Sequence, residues 1–184
     1  VVSRDNQVVD LGTVNDPQGS IGTTARDKAD GDSTVACGEQ ASVIDRVAYA
    51  NLIPGREYVM EGTLMDAATA KPLEDTQGEA IVASTTFTPE SSHGSVEMTF
   101  SFSSLALQGN TLVAFERLTC EGRVVAAHDD PEDTDQSVIV ATPTLGTSTS
   151  DPIDGDGAIA KDREATIVDR VSYSGLTPGV EYRL

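Results

Sequence analysis

Val43-Ile44-Asp45-Arg46-Val47-Ala48-Tyr49 and Ile167-Val168-Asp169-Arg170-Val171-Ser172-Tyr173 are two versions of one β-strand. In the first, Val43, Val47 and Tyr49 alternate with Ile44, Arg46 and Ala48, the period of two that a strand with one buried face shows. The two versions stand 124 positions apart (169 − 45), and that offset holds well beyond the strand. It aligns Leu52 with Leu176, Pro54-Gly55 with Pro178-Gly179 and Glu57-Tyr58 with Glu181-Tyr182. Upstream it aligns Ile21-Gly22-Thr23 with Leu145-Gly146-Thr147, and Asp30-Gly31-Asp32 with Asp154-Gly155-Asp156. Agreement in one register over such a span marks an internal repeat. The chain therefore divides into a complete repeat at 20–141, the N-terminal part of a following one at 142–184, and the tail of a preceding repeat or a linker at 1–19. Gln7 before Val8-Val9 resembles Gln136 before Ser137-Val138, which makes Gln7 the counterpart of Gln136 in a preceding repeat.

Outward from the deciding strand the pattern stays extended. Tyr58 to Leu64, Ala83 to Thr88, Ser95 to Phe102, Thr111 to Leu118, Arg123 to Ala127 and Gln136 to Val140 read as further strands. Turn residues separate them at Asn51 to Gly55, Pro89 to Gly94, Gln108-Gly109-Asn110 and Glu121-Gly122. Short strands at such spacing, with no sustained helical period, predict an all-β sandwich. A complete repeat of this size can bury a core. The segment 142–184 lacks most of its strands, so it is expected to be poorly packed or completed by residues outside it. The chain begins at Val1 with no signal-peptide pattern and stops at Leu184 inside the second copy, as expected for a piece of a longer protein.

Composition narrows the function classes. A formal charge of −18 opposes binding to nucleic acid or an anionic membrane, because phosphate is repelled. No apolar run approaches the roughly 20 residues of a membrane helix. Aromatic residues make up 4% with no Trp, which leaves no stacking platform for sugars or bases. Two Cys and two His lack zinc-finger spacing, and nothing calls for a cofactor.

Four polar residues stand on apolar strand faces. Asp45 shares its face with Val43, Val47 and Tyr49, and Glu116 with Leu112, Ala114 and Leu118. Gln136 shares a face with Val138 and Val140, and Thr23 with Ile21 and Ala25, whereas Thr24 falls on the opposite side with Gly22 and Arg26. Burying an ionised carboxylate alone costs several kcal/mol, so such groups find partners or keep their protons. Two carboxyls meeting in one apolar site tend to share a proton.

Val113-Ala114-Phe115-Glu116 spells the VaFE signature. With Ile21-Gly22-Thr23-Thr24-Ala25, Asp27 to Asp32, the Asp45 strand, Leu52 to Tyr58, Glu61 to Asp66, Thr85 to Glu90, and His128-Asp129-Asp130 followed by Gln136, the complete repeat resembles the VaFE, or Thr–Gln ester-bond, domains of Gram-positive bacterial surface adhesins. The resemblance implies an immunoglobulin-like, CnaB-like β-sandwich in tandem repeats, on an extracellular, cell-wall-anchored protein. It implies a self-formed ester in which the Thr23 hydroxyl attacks the Gln136 carboxamide and ammonia leaves. His128 takes the base role, and Asp45 with Glu116 form the acid pair that polarises the amide. A hydroxyl needs a neighbouring base to become a nucleophile, and a protonated carboxyl can hold the developing oxyanion. Thr147 and Asp169 are the counterparts of Thr23 and Asp45 in the next repeat. The reaction would occur once per molecule, so the implied role is a stalk domain rather than an enzyme. The implied partners are neighbouring repeats of the same chain and a host ligand held elsewhere in the protein.

For a secreted protein, Cys37 before the Asp45 strand and Cys120 after the VaFE strand are expected to form a disulfide between two strand ends. His93 is expected in a solvated turn. The acidic run Asp129 to Asp135 reads as a solvated loop, with a calcium site as the alternative, although it lacks EF-hand spacing. Two other functions remain open: a ligand-binding adhesin module on the same sandwich without a cross-link, calcium-dependent or not, and a hydrolase built on Thr23, His128 and Asp45. No Gly-x-Ser-x-Gly elbow supports the hydrolase.

Overall fold

The computed structural model describes residues 18–159, 164–176, 179 and 181–184; Gln7 lies outside them. Every regular element among the described residues is a strand, and no helix there is long and apolar enough to cross a membrane. In chain order the strands are β1 (Ser20–Asp27), β2 (Thr34–Val35), β3 (Ala41–Ala50), β4 (Tyr58–Asp66), β5 (Lys71–Pro72), β6 (Val82–Phe87), β7 (Gly94–Phe102), β8 (Thr111–Cys120), β9 (Arg123–His128), β10 (Ser137–Val140), β11 (Thr144–Ser150) and β12 (Val168–Ser174). The alternating segments read from sequence become β3, β4 and β6 to β10. The two-residue strands β2 and β5 are too short to show an alternation.

Two sheets face each other. One is ordered β1-β3-β7 and is antiparallel throughout. The other runs β2-β10-β8-β4-β5, with β6 also paired to β4 and β9 also paired to β8. The β8–β9 hairpin turns on Glu121 and Gly122, both at positive φ (51° and 75°), the two-residue turn that matches strand twist and favours glycine at its second position. One edge of β8 is shared. β10 pairs with Thr111 to Val113, and β9 pairs with Glu116 to Cys120. Between them the connection from His128 to Gln136 lies against the strand, where the Ala114 amide donates to the Gln136 carbonyl at 3.1 Å.

The apolar core is divided. One cluster gathers Ala25, Val35, Val43, Leu64, Phe100, Leu112, Ala114, Val138 and Val140. The other gathers Val47, Leu52, Tyr58, Met60, Met98, Leu118 and Cys120. Residues 45 and 116 fall between these groups along β3 and β8, so a polar layer crosses the sandwich between two apolar ones.

β11 and β12 repeat the pairing of β1 and β3 in register. β1 pairs with β3 from Ser20↔Ala50, and β11 pairs with β12 from Thr144↔Ser174, 124 positions on. The loop after each first strand matches bond for bond. Asp27 N donates to Asp32 O and Gly31 N to Asp27 O, as Asp151 N does to Asp156 O and Gly155 N to Asp151 O. Asp27 Oδ1 accepts from the Ala29 amide at 3.0 Å, and Asp151 Oδ1 from the Ile153 amide at 2.9 Å. Such Asx turns are set by local sequence, which is why the loop forms without a surrounding domain. The β11–β12 pair itself is a separate two-stranded sheet. Thr147 and Asp169 are exposed there, as are Leu145, Val168 and Tyr173.

Cys37 and Cys120 are free, contrary to the expected disulfide. Cys37 follows β2, whose Val35 pairs with Val140, and the Val140 amide donates to Asn110 O just before β8. Cys120 ends β8. A strand rises about 3.3 Å per residue, so the two thiols lie near opposite ends of the molecule, beyond the roughly 7 Å Cα limit of a disulfide.

Candidate functional site: a buried polar layer

The strand phases place all four polar residues inside. Asp45 and Gln136 are fully buried, Glu116 is 2% exposed and Thr23 is 7% exposed, whereas Thr24 faces solvent. Thr23 Oγ1 donates a short hydrogen bond to Asp45 Oδ1. The resemblance implies His128 as the assisting base, and the direct hydrogen-bond partner of the hydroxyl is Asp45. Gln136 stands one residue before β10, and its neighbour Asp135 accepts from the Ala25 amide at 2.9 Å. That bond ties the start of β10 to β1, two residues from Thr23 on the same face.

Across the sandwich stands Glu116, paired with His128 on one side and Gly62 on the other. Burial, and next the charge of Asp45, push its carboxyl up to about 10, so it carries a proton near neutrality. Burial also raises Asp45, while the hydrogen bonds from Thr23 and Glu116 oppose the rise. Asp45 is thereby the partner that ionises first. Two carboxyls in one buried layer thus differ in how readily each ionises.

The connection between β9 and β10 supplies the other half. His128 Nε2 lies 3.3 Å from Asp133 Oδ2, and its Nδ1 lies 4.0 Å from Glu116 Oε2. The Gln136 amide nitrogen donates to the Asp130 main-chain carbonyl at 2.6 Å. The loop is braced internally. Asp130 Oδ1 accepts from the Glu132 amide, Asp133 Oδ1 from the Asp135 amide, and Asp133 O from the Ser137 hydroxyl. The run expected to be a solvated acidic loop therefore holds both the histidine and the carboxamide. Asp133 was missed as a site residue, because a loop has no periodicity to show where a side chain points. Its only sequence signal is its place between His128 and Gln136.

Polar valences remain open in this layer. Asp45 Oδ2, both Glu116 oxygens, His128 Nδ1 and Gln136 Oε1 are buried without a hydrogen-bond partner of ordinary geometry. Buried polar atoms are normally satisfied. Among the described residues no three His, Cys, Asp or Glu side chains are placed to hold a metal ion, the acidic loops included.

The family model for a T-Q ester bond containing domain matches residues 19–140 and again 143–184. The chain belongs to that family. No curated protein sequence matches this T-Q chain. Among solved structures it is similar to a bacterial adhesin from Mobiluncus mulieris containing intramolecular disulfide, isopeptide and ester bond cross-links, known in two crystal forms. The TM-scores are 0.56 and 0.55 at 15% and 14% identity. The alignments cover 86% and 85% of the T-Q chain and 77% and 76% of the adhesin. At such identity the likeness is one of fold.

Proposed function

We propose that residues 20–141 form a structural stalk domain closed by a self-made ester between Thr23 and Gln136. The observation that carries this reading is the buried Gln136 carboxamide. Its nitrogen is held by Asp130 O, and its oxygen has no partner of ordinary geometry, in the same buried layer as a threonine hydroxyl bonded to Asp45. Asp45 Oδ1 takes the hydroxyl proton as Thr23 Oγ1 attacks the amide carbon. Glu116, still protonated, donates to the developing oxyanion at Gln136 Oε1. The proton taken by Asp45 is passed on through His128, oriented by Asp133, to the departing nitrogen. The C–N bond breaks, ammonia leaves and the ester remains. An amide is a poor acyl donor, so fixed geometry must supply much of the rate.

The cross-link would join β1 to the entrance of β10, so force applied through the two ends of the repeat would bypass the remaining strands. The reaction runs once per molecule, without turnover. Residues 142–184 would be the first part of a following repeat, with Thr147 and Asp169 awaiting partners that 142–184 does not contain. Tandem repeats of this kind suit a stiff stalk on a cell-surface adhesin, anchored in the wall of a Gram-positive bacterium, with the host ligand bound elsewhere.

The test is the intact mass of the chain under reducing conditions. Ester formation lowers it by about 17 Da, the mass of ammonia. Thr23→Ala and Gln136→Ala should keep the unmodified mass, and Thr24→Ala should still show the loss. An unmodified mass in folded wild-type protein would refute the ester.

A further inference from the structure

The polar layer is open on one side and closed on the other. Toward β9 it reaches solvent at His128, whose side chain is 26% exposed. Toward β4 and β7 the space over Gly62 is filled by Met98 and Phe100. A Cβ at position 62 would lie 2.7 Å from the Phe100 ring and 2.9 Å from Met98 Cε. Gly62 is the cross-strand partner of Glu116, and Met98 is the cross-strand partner of Asp45. Met98 and Phe100 therefore cross from one sheet into the space that any other residue at 62 would fill, beside both carboxyls. Met98 is 3% exposed and Phe100 is fully buried.

We infer that Gly62, Met98 and Phe100 form a dry back wall that decides between two acceptors of the acyl group, the Thr23 hydroxyl and water. This rests on the ester reading given above. Acyl transfer breaks the C–N bond of Gln136, forms the bond to Thr23 Oγ1 and releases ammonia. Hydrolysis adds water to the ester carbonyl, breaks the bond to Thr23 Oγ1, returns a proton to that oxygen and leaves an acid at position 136. With no amide left, the site is then spent. The same carboxyls that promote the first step would promote the second if water entered, because they supply the acid and the base that either needs. The titratable groups facing Glu116 are Asp45, His128 and Asp133. None belongs to the wall, so opening it admits water without changing the charge of the site. The wall residues touch no reacting atom and are positioning residues.

Met98→Ala in the full chain removes the side chain that stands over Gly62, at the strand position paired with Asp45, and opens a path for water toward the carboxyls. The mass should first fall by about 17 Da and then settle about 1 Da above the starting value, as water replaces the ester. In 18O water the final species should carry the heavy isotope. The second phase should run on the order of tenfold faster than in wild type, because exclusion of water no longer protects the ester. Met98→Leu keeps the wall filled and should stay at the cross-linked mass. Met98→Val is the milder opening should Met98→Ala fail to fold. Leu112→Ala makes a cavity in the other cluster, away from the carboxyls, and should also stay cross-linked. Retention of the ester by folded Met98→Ala or Met98→Val for as long as wild type overturns the wall. So does equal hydrolysis in Leu112→Ala, which would assign the effect to general destabilisation. A wild-type chain that never loses ammonia overturns the ester reading itself, and the wall with it.

Discussion

The sharpest test of a covalent link between Thr23 and Gln136 is thermodynamic non-additivity. The two residues are 113 apart (136 − 23), so a bond between them closes a loop of that length in the unfolded chain. With the chain-entropy relation used for disulfides, closure of such a loop is worth about 5 kcal/mol at 25 °C. Thr23→Ala loses that amount plus the hydrogen bond to Asp45, whose buried carboxyl is left with one partner fewer, a further 1–3 kcal/mol or so. Gln136→Ala loses the same cross-link plus the packing of a fully buried side chain, roughly 2–4 kcal/mol. The double variant loses the cross-link only once, so the two single effects should exceed the double effect by about 5 kcal/mol. For a repeat of about 120 residues that coupling corresponds to roughly 15–20 °C in Tm. Chemical denaturation of the three variants and the wild type, followed by circular dichroism, measures it directly. An ordinary hydrogen-bonded pair couples by only about 1 kcal/mol. A coupling that small, in wild-type protein of unreduced mass, would mean that no covalent bond joins the strands.

Three further outcomes follow from the geometry. Cross-linking should slow as pH rises toward about 10, where Glu116 loses the proton it donates, and Glu116→Gln should flatten that limb; time-resolved mass spectrometry reads both. In a Thr23→Ala background, Glu116 is protonated in the folded chain but ionised in the unfolded one between about 4.5 and about 10. Stability is therefore full below that window and falls across it, by at most roughly 1–1.5 kcal/mol per pH unit, and Thr23→Ala/Glu116→Gln should remove that part of the slope in denaturation measured across the window. Reductant should leave the wild-type Tm unchanged, and alkylation of the native protein should modify the partly exposed Cys37 well before the buried Cys120, as peptide mapping would show.

The sequence made the inward faces legible because a strand has a strict two-residue period. Asp45, Glu116, Thr23 and Gln136 betrayed themselves by standing in phase with Val47, Ala114, Ala25 and Val138, and each is buried as that phase requires. Contacts across strands were not legible, since they depend on register. Nothing in the order of residues shows that Thr23 bonds directly to Asp45, or that Gly62 lies opposite Glu116. Loop residues were least legible. Asp133 and the Asp130 carbonyl act from a segment whose composition alone says only that it is acidic. The cysteines misled because adjacency to a strand does not say which end of the sandwich that strand reaches.

The polar layer also bears on what the cross-link is for. Five of its buried polar atoms lack a hydrogen bond of ordinary geometry, and each one left unsatisfied costs about 1–3 kcal/mol where the layer could have been apolar. A few such atoms already offset the roughly 5 kcal/mol that closing the loop contributes. At equilibrium, then, the site and its bond come close to cancelling, and a sandwich filled with Leu and Val would be at least as stable. What an apolar filling cannot supply is a connection that survives when the strands are pulled. Hydrogen bonds between β1 and β3, or between β10 and β8, yield one after another under load, whereas an ester from β1 to Gln136 must break a covalent bond. A costly layer kept for a bond it largely offsets at equilibrium is the arrangement expected of an element that carries tension. On this argument Thr23→Ala should abolish the resistance to full extension, beyond the roughly 6–8 kcal/mol it removes at equilibrium. Single-molecule pulling from the two ends of residues 20–141 within the chain should show the repeat resisting extension when cross-linked and extending fully in Thr23→Ala. Equal extension in the two proteins would remove the mechanical role.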